Sequence, residues 1–231
     1  MSESHGCMLC SKPLQYKDSE QLRRCVFCDA EKMSHAACEQ GHFVCDKCHA
    51  ADALEVVRAT CLASGETDMI ALMKRIRAHE AINVHGPEHH ALVPALIVTT
   101  YRNIGGEATN ADIETAISRG ASVPGGACGL FGSCGAAQGV GIGFGILLKS
   151  SPVKAAKRQL VLSATATVLK RLAAYEAARC CQRDCYLSLK AAAELSHEML
   201  PIPLQADEEY PCRQRHLNKE CLGYMCPCFS V

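Results

Sequence analysis

The stretch from Gly129 to Leu148, "GLFGSCGAAQGVGIGFGILL", is twenty residues long and contains no charge. Three of its seven glycines, Gly135, Gly139 and Gly143, are four residues apart and therefore share one face of a helix. Glycines at this spacing let a second helix approach closely. The length would suffice for a membrane span, but Gln138 lies at its middle, no second span accompanies it and its flanks lack aromatic anchors. We therefore predict a buried central helix.

Hydrophobic periodicity predicts more helices on both sides of this stretch, and no alternating strand pattern follows residue 50. One helix should contain or begin near Pro94, which would interrupt it or lie in its first turn. Four of the expected helices cover about 52–62, about 89–104, 152–178 and 181–199. Another should begin near Met69 after a cap at Thr67, and one more should run from a cap at Thr109 or Asn110 to a stop at Gly120. The predicted fold is mainly α: a small N-terminal module at 1–50, then an all-α domain at 51–231 with a cysteine-rich C-terminal tail.

Charge and cysteine content narrow the classes of function. Lys plus Arg and Asp plus Glu number 24 each, so the chain lacks the basic excess of a dedicated nucleic-acid binder. The start of the chain shows no export signal, which predicts a cytoplasmic protein in a reducing compartment. Seventeen cysteines in that setting favour metal, iron–sulfur or redox chemistry over structural disulfides.

The first 48 residues contain four pairs with metal-ligand spacing, and two such pairs supply one tetrahedral site. Eight ligands therefore suit two Zn²⁺ ions, and so short a segment would depend on metal for its folding. The pairing stays open between alternate pairs, as in RING-type fingers, and sequential ribbons, and His35 could replace His42. The predicted ligands are Cys7, Cys10, Cys25, Cys28, Cys38, His42, Cys45 and Cys48.

A second group of cysteines follows residue 120. The glycine-rich turn "VPGGACG" presents Cys128 from a backbone that only glycine permits. If Cys180 and Cys181 approach Cys128 and Cys134, four thiolates could hold an iron–sulfur cluster. A dithiol that cycles with a disulfide is the alternative. The predicted cofactor-binding cysteines are Cys128, Cys134, Cys180, Cys181, Cys221 and Cys226.

The segment "HGPEHH", residues 85–90, places three histidines and a glutamate at the N-terminus of a predicted helix. Three interpretations are open: a mononuclear metal site with two histidines and one carboxylate, an acid–base group beside the cysteine centre, or a capping and hydrogen-bond network. The candidate catalytic residues are His85, Glu88 and His89, with His90 as the outward residue.

Four motifs, "HGPEHHALVPAL", "GGACGLFGSCGAAQGVGI", "RCCQRDC" and "NKECLGYMCPC", together with the zinc-knuckle N-terminus, carry a resemblance over nearly the whole chain. The sequence resembles an uncharacterised cysteine-rich domain family of anaerobic bacteria and methanogenic archaea, some of whose members are linked to S-adenosylmethionine-dependent methyltransferases. "CGAAQGVGI" is similar, more weakly, to small helical proteins with a C-GCAxxG redox motif. The resemblance implies a metal or redox theme and no particular reaction.

Two hypotheses follow. The first is a cytoplasmic metalloprotein with structural zinc and a second Cys/His centre, an iron–sulfur cluster or a redox dithiol, which serves electron transfer or anaerobic one-carbon metabolism. Its partner would be a methyltransferase or a redox protein, with neither nucleic acid nor a membrane involved. The second is a non-catalytic zinc-dependent adaptor that docks a partner enzyme. Convergence of His85, Glu88, Cys128 and Cys134 in one pocket would favour the first, and an exposed charge-free face at 129–148 the second.

Overall fold

The fold is mainly α, as predicted. The computed structural model describes Cys7, Leu9, Cys10 and residues 12–229, and in them one antiparallel hairpin precedes eight α-helices. The tail contains two short 3-10 helices, Arg215–Leu217 and Gly223–Met225. The strands are β1 (Leu14–Arg24) and β2 (Glu31–Cys38), and the helices are α1 (Asp46–Ala63), α2 (Met69–Arg77), α3 (Glu88–Asn103), α4 (Asn110–Ala121), α5 (Ala127–Leu130), α6 (Gly135–Leu147), α7 (Ala155–Leu172) and α8 (Cys181–Met199).

The glycine-rich helix α6 is the centre of the helical domain, packed against α3, α4, α7 and α8. A Cβ atom added at Gly139 would lie 2.8 Å from Cδ of Pro94, and one at Gly143 would lie 2.8 Å from Cγ2 of Ile97. Both positions face α3, so the predicted close approach is confirmed. On its other side α6 meets α7, where Gly141 lies against Thr165. None of the described helices is long and apolar enough to cross a membrane.

Pro94 and Gly120 behave differently from the prediction. Helix α3 runs through Pro94, whose ring is buried against α6. Proline costs a helix hydrogen bond, but here tight packing between helices offsets the loss. Helix α4 passes Gly120 and ends at Ala121, because Gly120 serves to bring α4 against the backbone of α3.

The caps of α2 and α4 show how the chain begins its helices. Thr109 and Asp112 form a capping box at α4, which confirms the predicted cap. At α2 the cap is Asp68 and not Thr67, since Asp68 Oδ1 accepts hydrogen bonds from the N–H groups of Ile70 and Ala71. Helix α7 is shorter than the predicted 152–178.

The sequence did not predict the hairpin. Strand β1 is exposed over nearly all of its length, and most of β2 is exposed or half-buried. A strand with no buried face does not need alternating hydrophobic residues, so the usual pattern is missing. The pairing also slips between Tyr16 and Gln21.

Helix α1 joins the N-terminal region to the helical domain without a linker. It begins at Asp46, six residues earlier than predicted, and includes Cys48 in its first turn. Asp46 Oδ2 accepts a hydrogen bond from the Gly125 N–H group at 2.9 Å. Arg179 donates to the hydroxyl of Tyr16 at 2.7 Å. These two contacts tie the N-terminal region to the turn before α5 and to the segment before α8.

Candidate metal centres and a cysteine–histidine cleft

The first group of potential ligands comprises Cys7, Cys10, Cys38 and His42, whose ligand atoms all lie within 4.8 Å of one another. Cys7 Sγ is 3.7 Å from His42 Nδ1, and the sulfurs of Cys10 and Cys38 are 3.8 Å apart. Two ligands bound tetrahedrally at about 2.3 Å from one ion are about 3.8 Å apart. The group therefore has the dimensions of a single tetrahedral metal site.

The second group comprises Cys25, Cys28, Cys45 and Cys48, again within 4.8 Å. Sulfurs of Cys28 and Cys45 are 3.7 Å apart. The two groups could each hold one metal ion, and they combine alternate pairs, as in the RING-type alternative. The ribbon alternative would instead have joined the first pair to the second.

The hairpin explains this pairing. Leu14 is opposite Cys38 in the register, so the start of β1 brings the first pair of cysteines to the third pair. A bridge between Cys25 and Phe43 brings the second pair to the fourth. His35 lies in β2, where its Nδ1 atom is 2.9 Å from the Lys17 carbonyl oxygen, and it belongs to neither group.

Backbone N–H groups point at the sulfurs of both groups. Burial alone would raise the pKa of the Cys7 thiol, but the N–H groups of Leu9 and Cys10 lower it to about 7. Burial would likewise raise the pKa of Cys25, and N–H groups led by that of Cys45, 3.4 Å from the sulfur, lower it to about 6. Such contacts favour the thiolate, which is the form that binds metal.

In the histidine–glutamate segment Glu88 Oε1 lies 3.6 Å from His89 Nδ1, whereas His85 and His90 line a cleft. Burial lowers the pKa of fully buried His89 well below its usual value, so its ring is neutral. Its Nδ1 atom donates to the Gly86 carbonyl oxygen at 3.1 Å, which leaves Nε2 as an acceptor for the Arg77 guanidinium. Both ring nitrogens are therefore engaged in a hydrogen-bond network.

Glu88 is the first residue of α3, whereas the sequence placed it before the helix. Its Oε1 atom accepts from the Asn83 N–H group at 3.2 Å, and within the described residues its Oε2 atom has no hydrogen-bond partner. Burial raises the pKa of this carboxyl, because the charged form loses its hydration. The geometry suits a protonated acid.

His85 and His90 line a cleft of about 250 Å³ between the N-terminal region and the helical domain. His90 is not the outward residue, since its Nδ1 atom donates to the Val123 carbonyl oxygen at 3.0 Å and its ring packs against Gly135. Two potential metal ligands, Cys7 and His42, line the same cleft. Its other side chains that could carry chemistry are Tyr16, Ser34, Asp46, His49, Cys128, Arg179, Cys181, Lys219 and Glu220.

The six predicted cofactor cysteines fall in three places. Cys128 and Cys181 line the cleft, and the turn before Cys128 has the predicted left-handed glycine, Gly126, with φ +78°. Cys134 is the N-cap residue of α6, its sulfur lies 3.9 Å from Oδ2 of Asp184, and burial raises its pKa to about 11. The remaining three lie around a small cavity at the tail, described next.

The tail cavity is lined by five cysteines. Helix α8 contributes the one at its N-cap, and the irregular tail contributes four. Arg183 and Arg215 line the same cavity. Within the described residues no three of these thiols lie within 4.8 Å of one another, in contrast to the two N-terminal groups. The five are Cys180, Cys212, Cys221, Cys226 and Cys228.

The family comparison covers both the helices and this tail. The profile of a family of unknown function (DUF5714) matches residues 57–229. The chain belongs to this family. The expectation of an uncharacterised domain family is thereby confirmed. No curated protein and no solved structure matches the chain.

The DUF5714 match begins inside α1 and reaches beyond Cys228, so it contains the tail cavity and excludes both N-terminal ligand groups. Two cysteines of that cavity, Cys212 and Cys228, are missing from the predicted site. Their position beside Pro211 and Pro227 in a tail with little helix is the feature of the sequence that could have identified them.

Proposed function

We propose that this protein is a zinc metalloprotein of the cytoplasm with a second, thiol-rich centre that serves electron transfer or anaerobic one-carbon metabolism. The single observation that carries the zinc assignment is the separation of 3.7–3.8 Å between ligand atoms from alternate pairs. One group offers three thiolates and an imidazole, and the other offers four thiolates. These are the donor sets of structural zinc sites.

The two zinc ions have a structural role in this proposal. Strand β1 is almost wholly exposed, so the hairpin has little apolar surface to bury. A segment without a core depends on metal for its folding free energy. Because Cys48 lies inside α1, zinc at the second group also fixes the start of the first helix and one wall of the cleft.

The second centre would use cysteines outside the N-terminal region. Of these ten cysteines two line the cleft and five surround the tail cavity, while Cys61, Cys134 and Cys185 line neither. An iron–sulfur cluster or a redox dithiol fits such thiols in a reducing compartment. The resemblance to domains linked to methyltransferases supports a partner enzyme of that class or a redox protein.

Zinc content of protein purified without oxygen tests the zinc assignment. We expect about two zinc ions per chain, as two tetrahedral sites require. Cys48→Ser should lower this number by at least about one ion, because it removes one of four ligands. Cys61→Ala is the matched control, since Cys61 lies in the same helix, is buried in the core and belongs to neither group. A folded wild-type chain without zinc, or unchanged zinc in Cys48→Ser, would refute the assignment.

One observation supports the adaptor as a second candidate. Leu22 and Met33 face each other across the hairpin and are 62% and 55% exposed. Helix α6 is largely buried, but the start of the same charge-free stretch exposes Leu130 and Phe131, 40% and 60% respectively. Leu22→Lys should weaken a complex with a partner enzyme in the native host without changing zinc content, measured by quantitative co-purification. An unchanged complex would count against the adaptor.

A further inference from the structure

The five cysteines of the tail cavity come from distant parts of the chain and meet at one place. Cys180 is the N-cap residue of α8, and the other four follow in a tail with only two short 3-10 helices. The backbone of the tail is pinned by a hydrogen bond from the Cys212 N–H group to the Cys228 carbonyl oxygen at 2.7 Å. Sulfur ligation would explain why a segment with so little regular structure folds back onto α8.

We propose that this cavity binds a [4Fe–4S] cluster, with Cys180, Cys212 and Cys221 as three ligands and Cys226 or Cys228 of the Cys-Pro-Cys sequence as the fourth. This inference rests on the proposed second centre and names its ligands and its cofactor. It replaces the predicted ligands Cys128, Cys134 and Cys181, which lie elsewhere.

Backbone donors at the sulfurs are the first support. The Gly223 N–H group is 3.4 Å from the sulfur of Cys221, two residues earlier in the chain. The Leu9 N–H group makes the same contact, at the same distance and spacing, with Cys7 in the first N-terminal group. The Gln214 N–H group likewise reaches Cys212 and opposes burial, which raises the pKa of that thiol. These donors stabilise thiolates, and N–H groups around the sulfurs are a regular feature of cysteine-bound clusters.

A buried positive charge is the second support. Arg77 is only 3% exposed, and it donates to three neutral acceptors: the Tyr210 hydroxyl at 3.2 Å, Gln214 Oε1 at 3.0 Å and the ring of His89. Among the described ion pairs within 4.0 Å none involves Arg77, although its charge acts at longer range on the buried Glu88 carboxyl and opposes the rise that burial causes in the pKa of Glu88. A buried guanidinium without a close ion pair is costly.

The network of Arg77 leads directly to the cavity. Gln214 lines it, and Gln182, which also lines it, accepts from the Tyr210 hydroxyl at 2.8 Å and from the Cys212 thiol at 3.5 Å. A cluster held by four thiolates has a net negative charge, which would stabilise the positive charge of Arg77. Two further arginines, Arg183 and Arg215, line the cavity itself.

The spacing of the sulfurs favours a cluster over a single ion. In each N-terminal group four ligand atoms lie within 4.8 Å, as one ion requires, and among the described cysteines of the tail no three do. In a [4Fe–4S] cluster each thiolate binds a different iron atom, so the sulfurs stay farther apart while surrounding one centre. Pro227 after Cys226 matches the Cys-Pro step that ends ferredoxin cluster motifs.

The test uses the full chain, loaded with zinc and then treated without oxygen with sulfide and equal amounts of ferrous and ferric iron, which together have the oxidation state of a [4Fe–4S]²⁺ core. We expect about four iron and four sulfide per chain and a broad absorption near about 400 nm. Dithionite should bleach it, since a [4Fe–4S]²⁺ core takes up one electron to become [4Fe–4S]⁺ without making or breaking a bond. In Cys212→Ser and Cys221→Ser iron should fall below about one per chain while zinc stays unchanged. Cys221 is exposed, so its substitution does not disturb the core.

Cys128→Ser and Cys134→Ser are the matched comparisons, and Cys226→Ser with Cys228→Ser identifies the fourth ligand. Retention of the cluster in the first two variants supports the tail site. Loss of iron in Cys128→Ser and Cys134→Ser, with iron retained in Cys212→Ser and Cys221→Ser, would overturn this inference and place the second centre elsewhere in the chain. Zinc uptake without any iron would overturn the cluster while the zinc assignment stands. A third zinc ion lost in Cys221→Ser would replace the cluster by a single ion.

Discussion

The close contact between α3 and α4 yields a prediction whose size follows from the coordinates. A Cβ atom added at Gly120 would lie 2.4 Å from the carbonyl oxygen of His90 and 2.5 Å from Cα of Ala91. Ordinary contacts between such atoms are about 3.5–4.0 Å. The neighbours are backbone atoms, which cannot rotate away. Gly120→Ala therefore forces α4 and α3 apart by about 1 Å.

Gly145→Ala is the matched control. Gly145 lies inside α6, and its added Cβ would meet nothing nearer than the Val161 side chain, at 3.9 Å. Both substitutions gain up to about 1 kcal/mol because alanine is the better helix former. Only Gly120→Ala adds the cost of overpacking, about 1–3 kcal/mol. A clash with backbone belongs to the upper part of that range, so the two variants should differ by about 2–3 kcal/mol.

Thermal unfolding of the zinc-loaded variants, followed by circular dichroism, measures the difference. For a chain of this length 1 kcal/mol corresponds to about 2–4 °C, so Gly120→Ala should unfold about 4–12 °C below Gly145→Ala. The shift should also move His90, whose ring donates to the Val123 carbonyl oxygen just beyond α4. Equal melting temperatures for the two variants would show that α3 and α4 are not packed as described.

Three further predictions concern the site. Removal of zinc by a chelator should expose residues 12–44 to trypsin, while most of the helical circular-dichroism signal at 222 nm remains. The reason is that metal binding, and not a hydrophobic core, would stabilise the hairpin. Unchanged cleavage by trypsin would refute this prediction. Burial raises the pKa of Glu88 in the folded state, so the wild-type protein should lose stability as pH rises from about 4 to 8 and the carboxyl must ionise. Glutamine avoids this cost, so the free energy of unfolding of Glu88→Gln should increase relative to that of the wild type over the same range. A pH-independent difference in denaturant unfolding between the two would contradict it. Arg77→Met should weaken retention of the tail cluster by about 10- to 100-fold, as loss of a group that supports metal ligands does. The substitution also removes the hydrogen-bond donor of His89 and Gln214, so iron retention is compared at equal folded fraction. Equal iron retention in a competition with chelator would refute the role of Arg77.

The sequence by itself determined the fold class and the local elements. The four-residue spacing of Gly135, Gly139 and Gly143 predicted a helix that packs closely against its neighbour, and the capping residue Thr109 predicted the start of α4. The spacing of the Cys-x2-Cys and Cys-x3-His pairs likewise identified the N-terminal residues that could hold metal ions. These features act over a few residues, where helix periodicity, side-chain caps and the reach of a knuckle decide the outcome.

Tertiary structure decided which of these pieces meet. The register of an exposed hairpin paired the N-terminal ligands alternately, although neither strand has the alternation that would have revealed it. The tail cavity joins Cys180 to Cys212 and Cys228, and Arg77 reaches Gln214 across 137 positions of the chain. Such contacts depend on how helices pack and on the burial of a charge in the assembled core, quantities that no short stretch of sequence contains.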